Sequence, residues 1–240
     1  MKRIVLIILT FFSVFLFSCD EEEICCKTEP SWISKQYISC YVSPDTLESV
    51  IQKETNSFCI VLFLNGERIF SGEDPSPFYP RHPLYDSISS LYNDNTWNRK
   101  SSYDNEVIAY TVNIIQIISD KDLDSSCPAG NNLIEKATVY AESFGDFVLS
   151  KYPFGQEPLK NVKKAFKDMT KAERSLWYGG GCRVNLPYPE QAGTYNFTIT
   201  VTFEGGKTLT QTIEAELPSA SSITPPIRSD LDDSMRREGI

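Results

Sequence analysis

The hydrophobic pattern is clearest near the carboxyl end of the chain, where apolar and polar residues alternate. In residues 194–203 every second residue is apolar or aromatic and most of its neighbours are threonine, and the alternation resumes in residues 209–217. Because a strand sends successive side chains to opposite faces, this pattern predicts two strands that each bury one face. Gly205 and Gly206 predict a turn between them. We therefore expect an antiparallel hairpin that packs on a core from one side.

Five further segments show the same period of two: residues 36–42, 57–64, 67–71, 107–119 and 136–144. Asn65-Gly66 separates two of them, and this dipeptide favours a type I′ turn because both central residues of that turn need a positive φ. We therefore expect a tight hairpin at Asn65-Gly66. In the long segment 107–119, one face is expected to hold Ile108, Tyr110, Val112, Ile114 and Ile118.

Residues 158–169 follow a helical period instead. Their apolar residues recur every three or four positions with lysines between them, which predicts an amphipathic helix. Thr170 and Glu173 form a capping box, a signature of a helix start, and predict a second short helix that reaches residue 177. We interpret residues 151–181 as a helical insertion that ends at the three glycines 179–181.

These elements predict one mainly β domain over residues 32–217, an antiparallel sandwich that contains the helical insertion. Gly193-Thr194-Tyr195 opens the last pair of strands, and this pair resembles the final two strands of immunoglobulin-like and fibronectin type III sandwiches. The resemblance implies an immunoglobulin-like arrangement of the sheets. Residues 218–240 are rich in serine, proline and charge without an apolar period, so we expect a flexible tail.

The start of the chain has a different character. Lys2 and Arg3 precede a largely apolar run of 14 residues, 4–17, and a small residue follows at Ser18. A basic start, an apolar centre and a small residue before the cut are typical of a secretory signal. The run is shorter than the roughly 20 residues that span a bilayer. We predict a signal peptide at residues 1–18.

The end of this signal reads Leu16-Phe17-Ser18-Cys19 and is followed by four acidic residues at 20–23. The tetrapeptide resembles the bacterial lipobox, and the acidic run resembles the surface-export signal of Bacteroidota lipoproteins. The resemblance implies a lipid on Cys19, an acidic tether at residues 19–31, and a protein anchored in the outer membrane that faces the cell exterior. A plain secretory signal that removes Cys19 is the alternative.

The net charge of the chain limits the classes of partner that it can bind. Without Lys2 and Arg3, residues 19–240 carry 21 basic and 32 acidic residues, a formal net charge of −11. Nucleic acid and anionic lipid head groups both require a basic surface. We therefore expect no nucleic-acid partner, and we expect contact with the membrane through the lipid anchor. The length of this chain fits one large or two small domains.

Six cysteines remain after Cys19, and an even number in an oxidising compartment predicts up to three disulfides. They are Cys25, Cys26, Cys40, Cys59, Cys127 and Cys182. The sequence leaves their connectivity open, although adjacent Cys25 and Cys26 are expected to bond to different strands because a bridge between neighbours strains the peptide. Structural zinc is disfavoured, since there is no C-x-x-C pair and only one histidine, His82.

Motifs that carry catalysis are scarce. The single histidine disfavours a nucleophilic triad, and the chain has no P-loop, G-x-S-x-G or H-E-x-x-H motif, so we expect no cofactor. A pair of carboxylates for glycoside hydrolysis stays open, because the sequence does not select a pair. Asp120, Asp122 and Asp124 have the spacing of the first half of a calcium loop, but the turn glycine and the final glutamate are missing. A polar turn is the expected structure there, and calcium is the alternative.

Residues 72–104 form a long segment without a strand or helix pattern, and it is rich in aromatic residues among proline, asparagine and aspartate. Exposed rings beside amides and carboxylates suit sugar binding, because a ring stacks on the apolar face of a pyranose. The candidate ligand residues are Tyr79, Tyr85, Tyr92 and Trp97. The alternative is that these rings fold inward and hold the segment against the sandwich.

Three tripeptides combine Asp, then Ser or Thr, then an apolar residue, which is similar to the O-glycosylation sequon of Bacteroidota envelope proteins. The candidate acceptors are Thr46, Ser87 and Ser234. For the function we expect a non-enzymatic binding or accessory role at the outer surface, through capture of a glycan or a protein partner. A carboxylate-dependent glycan hydrolase and a structural envelope subunit are the alternatives. Geometry separates them, because hydrolysis needs two carboxylates about 5 to 10 Å apart.

Overall fold

The computed structural model describes residues 33–72, 79–100 and 106–223. The predicted signal peptide, the acidic tether, Cys19, Cys25, Cys26 and Ser234 lie outside these ranges. Of the predicted tail, residues 218–223 are described and include a 3-10 turn at Ala220–Ser222. No helix within the described ranges is long and apolar enough to cross a membrane.

The described chain is mainly β, as predicted, and its two main sheets pack as a sandwich. The strands in chain order are β1 (Ile33–Ser34), β2 (Cys40–Lys53), β3 (Ser57–Phe70), β4 (Arg99–Lys100), β5 (Glu106–Ile108), β6 (Val112–Ser119), β7 (Thr138–Ser143), β8 (Lys160–Lys164), β9 (Gly181–Pro187), β10 (Gly193–Phe203) and β11 (Thr208–Leu217). The short α-helices are α1 (Tyr85–Leu91) and α2 (Gly145–Leu149). Further 3-10 turns lie at Leu133–Glu135, Phe166–Asp168 and Ala172–Arg174.

The larger sheet has the strand order β5-β2-β3-β9-β7-β8, and the smaller sheet has the order β11-β10-β6. Neighbouring strands are antiparallel except for β2 and β5, which are parallel. β1 and β4 form a separate two-stranded ribbon. The strand β8 ends the larger sheet, where it pairs with β7 alone among the described strands.

The main core lies between the two sheets. Alternate residues of β3 face alternate residues of β10 in one cluster, in which the rings of Phe58 and Phe197 lie 5.6 Å apart. A second cluster covers the other face of β2 and β5 with side chains of α1 and α2. Tyr41 and Val42 are neighbours on β2 and belong to these two different clusters. This end of the larger sheet is therefore buried on both faces, whereas β9, β7 and β8 leave their outer face open.

The predicted hairpin near the carboxyl end is confirmed. β10 and β11 pair antiparallel from Gly193 opposite Leu217 to Thr202 opposite Thr208. The apolar residues of β10 are buried at every second position, as the alternation predicts. Gly205 and Gly206 have φ values of 93° and 88°, which glycine adopts without the strain that a side chain would cause. The strand predicted at residues 136–144 is also confirmed, as β7.

The hairpin predicted at Asn65-Gly66 is wrong. β3 continues through both residues, and Gly66 pairs with Pro44 where β2 carries an irregularity between Pro44 and Thr46. A Cβ atom on Gly66 would lie 2.0 Å from the carbonyl oxygen of Ser43. The glycine therefore allows a close approach of β2, a role that Gly in a strand often has, and no positive φ is involved.

The single strand predicted for residues 107–119 is two strands. β5 belongs to the larger sheet and β6 to the smaller, and residues 109–111 carry the chain from one to the other. This passage between sheets shifts the alternation of buried and exposed residues, so that Ile115 and Ile117 are buried while Ile114 is 48% exposed. The expected common face of Ile108 and Ile114 is therefore wrong, because the two residues lie in different sheets.

The helix predicted for residues 158–169 is also wrong. Lys160–Lys164 forms the strand β8, in which Val162 pairs with Ala141 and is buried in the main core. The helical content of residues 151–181 is limited to two 3-10 turns. The capping box is present, since the backbone N–H of Glu173 donates to Thr170 Oγ1 at 3.2 Å and that of Thr170 donates to Glu173 Oε2 at 2.8 Å. The turn stops because Ser175 is extended.

Candidate functional site

Two of the aromatic residues predicted to bind a ligand are buried. Tyr85 on α1 is 0% exposed, and its hydroxyl donates to the carbonyl oxygen of Ile38. Tyr92 is 3% exposed, and its hydroxyl donates to the carbonyl oxygen of Ala109 at 2.9 Å. A ring that is packed in the core offers no face to a sugar. The prediction of an exposed ligand surface is therefore wrong for Tyr85 and Tyr92, which hold the segment 72–104 against the sandwich.

The other two predicted ligand residues are partly exposed but also pack. Trp97 is half-buried, and its ring centroid lies 4.9 Å from that of Tyr37 and 5.1 Å from that of Tyr152. Tyr79 is 43% exposed, and its ring centroid lies 4.6 Å from that of Phe70. The four rings do not form one exposed platform, because two are buried and two belong to separate packing contacts.

A buried carboxylate fastens this segment to the second core cluster. Asp94 is 0% exposed and accepts hydrogen bonds from the backbone N–H groups of Tyr37 and Ile38 at 2.7 and 2.9 Å. The hydroxyls of Tyr152 and Tyr41 donate to it at 2.6 and 3.3 Å. Burial raises the pKa of the Asp94 carboxyl, and these hydrogen bonds lower it in part. The sequence alone gave no signal that distinguished Asp94 from the other acidic residues.

The open outer face of the larger sheet carries the candidate site. Strand register places Val61 opposite Arg183, Arg183 opposite Tyr140, and Tyr140 opposite Lys163. These four residues form one row across β3, β9, β7 and β8. Directly opposed side chains on a sheet have Cβ atoms about 4.5–5.5 Å apart. The row therefore places the half-buried ring of Tyr140 between the exposed cations Arg183 and Lys163, and buried Val61 lies at its β3 end.

A groove of about 470 Å³ lies over this row. Two residues beyond Val61, on the same face of β3, Phe63 pairs with Gly181, which has no side chain. A Cβ atom on Gly181 would lie 1.9 Å from the carbonyl oxygen of Leu62, so this position excludes a larger residue. Phe63 is 39% exposed at one side of the groove, and half-buried Tyr178 also lines it. Gly181 thus allows the close approach of β3, and the rings of Phe63 and Tyr178 lie beside it in the groove.

Polar groups surround the rings of the groove. Glu142 and Asn161 pair across β7 and β8, and both are exposed and line the groove. The ammonium group of Lys163 lies 5.0 Å from the ring centroid of Tyr140, within the range of a cation–π contact. Arg183 Nη2 donates to Gln52 Oε1 at 2.6 Å, so the guanidinium reaches from β9 across β3 toward β2. The groove therefore combines aromatic faces with hydrogen-bond donors and acceptors.

Sequence reasoning missed this groove because its residues come from four separate strands. One signal was present in residues 138–143, where Tyr140 and Glu142 occupy positions that alternate with the buried residues. An aromatic residue that shares one side of a strand with a charged residue, as Tyr140 does with Glu142, indicates a ring at the surface. Phe63 carries no such signal, because Cys59 and Val61 on its side of β3 are apolar and buried. The spacing of β3, β9, β7 and β8 in the sheet was needed to bring these rings together.

A second, polar cleft lies at one end of the sandwich. It has a volume of about 720 Å³ and is lined by residues 120–125, Ala129, residues 190–193 and Tyr195. Asp120 accepts from the backbone N–H and Nδ2 of Asn196, both at 2.8 Å. Asp124 accepts from the backbone N–H and the hydroxyl of Ser126 at 2.6 and 2.7 Å. These hydrogen bonds lower the pKa of both Asp120 and Asp124.

The three aspartates of the calcium alternative do not converge on one point. Asp120 binds Asn196, Asp124 binds Ser126, and Asp122 accepts from the backbone N–H of Ala129 at 2.6 Å. Within the described part of the chain, no group of three or more His, Cys, Asp or Glu side chains is arranged to hold a metal ion. The aspartates therefore organise the loop at residues 120–129, in agreement with the polar turn.

The four described cysteines form no disulfide with one another. Cys40, Cys59, Cys127 and Cys182 are all free and buried. Cys182 pairs with Leu62 on β3, three residues from Cys59, so Cys182 and Cys59 project from opposite faces of the sheet. Burial raises the pKa of Cys40 to about 12 and also raises the pKa of Cys59 and Cys182. A bond to Cys25 or Cys26 concerns residues outside the described ranges.

Two of the three predicted glycosylation acceptors are described, and both are exposed. Thr46 lies on β2 beside the irregularity, and its hydroxyl donates to the carbonyl oxygen of Asn65 at 3.3 Å. Ser87 lies on α1, and its hydroxyl donates to the carbonyl oxygen of Leu84 at 2.7 Å. Both remain predictions, and their positions are compatible with modification.

The chain was also compared with known proteins. Searches against protein-family models, curated proteins and solved structures found no significant match. The function is therefore argued from the chemistry of the groove over Tyr140 and of the polar cleft.

Proposed function

We propose that this chain is a lipid-anchored outer-surface protein that binds glycans, without catalysing their cleavage, through the groove on the outer face of the larger sheet. The observation that carries the proposal is the row across four strands, with Tyr140 between Arg183 and Lys163 and with exposed Phe63 opposite Gly181 at the side of the groove. It is a rigid, exposed aromatic surface with polar groups around it.

The chemistry of a saccharide matches this surface. A pyranose ring has an apolar face that stacks on an aromatic ring, and its hydroxyls require hydrogen-bond partners at the edge. Phe63 and Tyr178 offer ring surface, while Asn161 and Glu142 offer amide and carboxylate groups. Phe63, Asn161 and Glu142 project from paired strands, so the backbone beneath them is already ordered before a ligand binds. The groove is thus preorganised for a short stretch of a glycan chain.

Hydrolysis is the less favoured alternative, for two reasons. Of the residues that line the groove, Glu142 is the one carboxylate, whereas glycoside hydrolysis uses a pair. In the polar cleft, the hydrogen bonds to Asp120 and Asp124 lower the pKa of both carboxyls. A general acid requires a raised pKa so that it carries a proton near neutral pH. These two aspartates therefore do not suit that role.

The anchor of the proposed protein rests on Cys19 and the acidic residues that follow it. In the full chain produced in its native cells, Cys19→Ala is expected to abolish incorporation of labelled palmitate and to release the protein from the membrane fraction. The reason is that acyl chains supply the free energy of anchoring, about 0.8 kcal/mol for each buried CH₂. Proteolysis of intact cells measures outward display of the unchanged chain. Palmitate labelling that persists after Cys19→Ala would contradict the anchor.

The binding proposal is tested by Phe63→Ala. Removing the exposed ring beside the groove is expected to weaken glycan binding at least tenfold, since a well-placed aromatic contact contributes on the order of 1.4 kcal/mol or more. The measurement is a screen of the full chain in detergent on a glycan array, followed by titration calorimetry on the best ligand. Failure of the unchanged chain to bind any glycan would overturn the proposal.

Two variants serve as controls for Phe63→Ala. Ile114→Ala removes a similarly exposed apolar side chain from the other sheet and is expected to leave binding unchanged. Tyr79→Ala removes the most exposed of the four candidate rings that the sequence favoured, Tyr79, Tyr85, Tyr92 and Trp97. If Tyr79→Ala abolishes binding and Phe63→Ala does not, the ligand surface is in that segment, and the groove is not the site.

A further inference from the structure

We infer that the groove selects anionic glycans, those with carboxylate or sulfate groups, over neutral ones. This inference rests on the proposed function and names the class of ligand. It starts from the two cations in the row, Lys163 and Arg183, which stand on either side of Tyr140. An anionic sugar that lies on this row would place its charged group next to one of the two cations.

Among the described residues, Lys163 and Arg183 take part in no ion pair, although other basic side chains nearby do, such as Lys160 and Lys164 with Glu173. Glu142 is the one acidic residue that lines the groove. The groove therefore has a local excess of positive charge.

That local excess is unusual for this chain, which has a formal net charge of −9 over its whole length. A uniformly acidic surface repels a polyanion, so a polyanion is attracted only where cations are concentrated and unpaired. The cations also differ in what they offer. Arg183, whose Nη2 also donates to Gln52, carries a planar guanidinium whose remaining donors match a carboxylate or a sulfate, whereas the ammonium of Lys163 acts as a point charge.

The test compares defined polymers on the full chain in detergent. Polygalacturonate supplies carboxylates, dextran sulfate supplies sulfates, dextran is neutral, and polyglutamate is a polyanion without sugar rings. At 0.05 M NaCl, we expect the affinity for at least one anionic glycan to exceed the affinities for dextran and polyglutamate at least tenfold. At 0.5 M NaCl, we expect the affinity for that glycan to fall severalfold, because salt screens exposed charges. The two anionic polymers distinguish carboxylate from sulfate recognition.

The variant Lys163→Gln with Arg183→Gln is expected to lose at least tenfold in affinity for the anionic glycan. Lys53→Gln with Lys207→Gln changes the net charge equally at exposed positions outside the groove and is expected to retain binding. Equal binding of dextran overturns the selectivity for anions and leaves the proposed glycan-binding function intact. Equal binding of polyglutamate, or an equal loss in both double variants, overturns the inference. Absence of binding to every glycan overturns the proposed function as well.

Discussion

Replacing Asp94 with alanine is expected to lower the free energy of unfolding by about 4 kcal/mol, since it leaves four buried donors without their acceptor. Two are backbone N–H groups, those of Tyr37 and Ile38, and two are the hydroxyls of Tyr152 and Tyr41. Each unsatisfied buried donor costs about 1–3 kcal/mol, and relaxation of the site recovers part of the sum. Urea unfolding followed by circular dichroism measures the loss.

Asp86→Ala is the matched control for Asp94→Ala. Asp86 lies in the same segment, but its side chain is 68% exposed and pairs with Arg81, which is 42% exposed. An exposed ion pair of this kind contributes about 0.2–1 kcal/mol, so the control is expected to lose no more than that. Equal losses in the two variants would show that Asp94 does not fasten the segment.

The pH dependence of Asp94 has a defined sign. Burial raises the pKa of its carboxyl above the ordinary value of 3.8 in spite of the hydrogen bonds it accepts. Protonation therefore favours the folded state: this contribution is complete below pH 3.8 and is lost as the pH rises through the folded pKa. Asp94→Asn cannot titrate, so the stability advantage of the unchanged chain over Asp94→Asn is expected to shrink over that pH interval. A constant difference would contradict this account.

Glu173→Gln is expected to lower the free energy of unfolding by about 3 kcal/mol at neutral pH and to remove a component of acid sensitivity. Burial by itself would raise the pKa of Glu173, but hydrogen bonds from Lys164, the Thr170 backbone and Lys160 lower it to about 2. Because the folded pKa is depressed, the stabilisation is present above pH 4.5 and is lost as the pH falls toward 2. Denaturant titrations at several pH values should show the unchanged chain losing this advantage over Glu173→Gln.

Glu204→Gln is the control for Glu173→Gln. Glu204 also pairs with a lysine, Lys171, at 2.6 Å, but the two side chains are 51% and 63% exposed, whereas that of Glu173 is 3% exposed. Solvent screens the exposed pair, so its loss is expected to cost less than about 1 kcal/mol. If the difference between the unchanged chain and Glu173→Gln stays constant from pH 5 to pH 2, the depressed pKa is refuted.

The sequence predicts a strand most reliably where one face of that strand is exposed to solvent and the other is buried. The β10–β11 hairpin meets this condition, and its alternation of apolar residues with threonine and glutamate fixes both register and face. The hairpin predicted at Asn65-Gly66 is wrong because the turn preference of this dipeptide competes with a 14-residue strand, β3, that has a neighbour on each side in the sheet. The helix predicted for residues 158–169 is wrong because a helical period over so short a segment does not exclude an edge strand such as the one at residues 160–164.

The candidate site was harder to predict than the fold. Its row of side chains depends on which strands are neighbours, and β9 lies between β3 and β7 although it follows both in the chain. No local pattern encodes that order. The cysteines illustrate the same limit, since Cys59 and Cys182 lie on adjacent strands but on opposite faces. The even number of cysteines predicts disulfides but no connectivity, and the pleat of the sheet prevents a bridge between these two.

The lysines of β8 also affect how copies of this protein behave beside one another. A terminal strand offers unpaired N–H and C=O groups, and such an edge is a template on which a second chain can add a strand and begin aggregation. β8 pairs with β7 alone among the described strands, and three of its five residues are lysine. A second copy that approached this edge in register would bring ammonium groups together. The same strand that contributes Lys163 to the groove thus discourages self-association between copies of the chain.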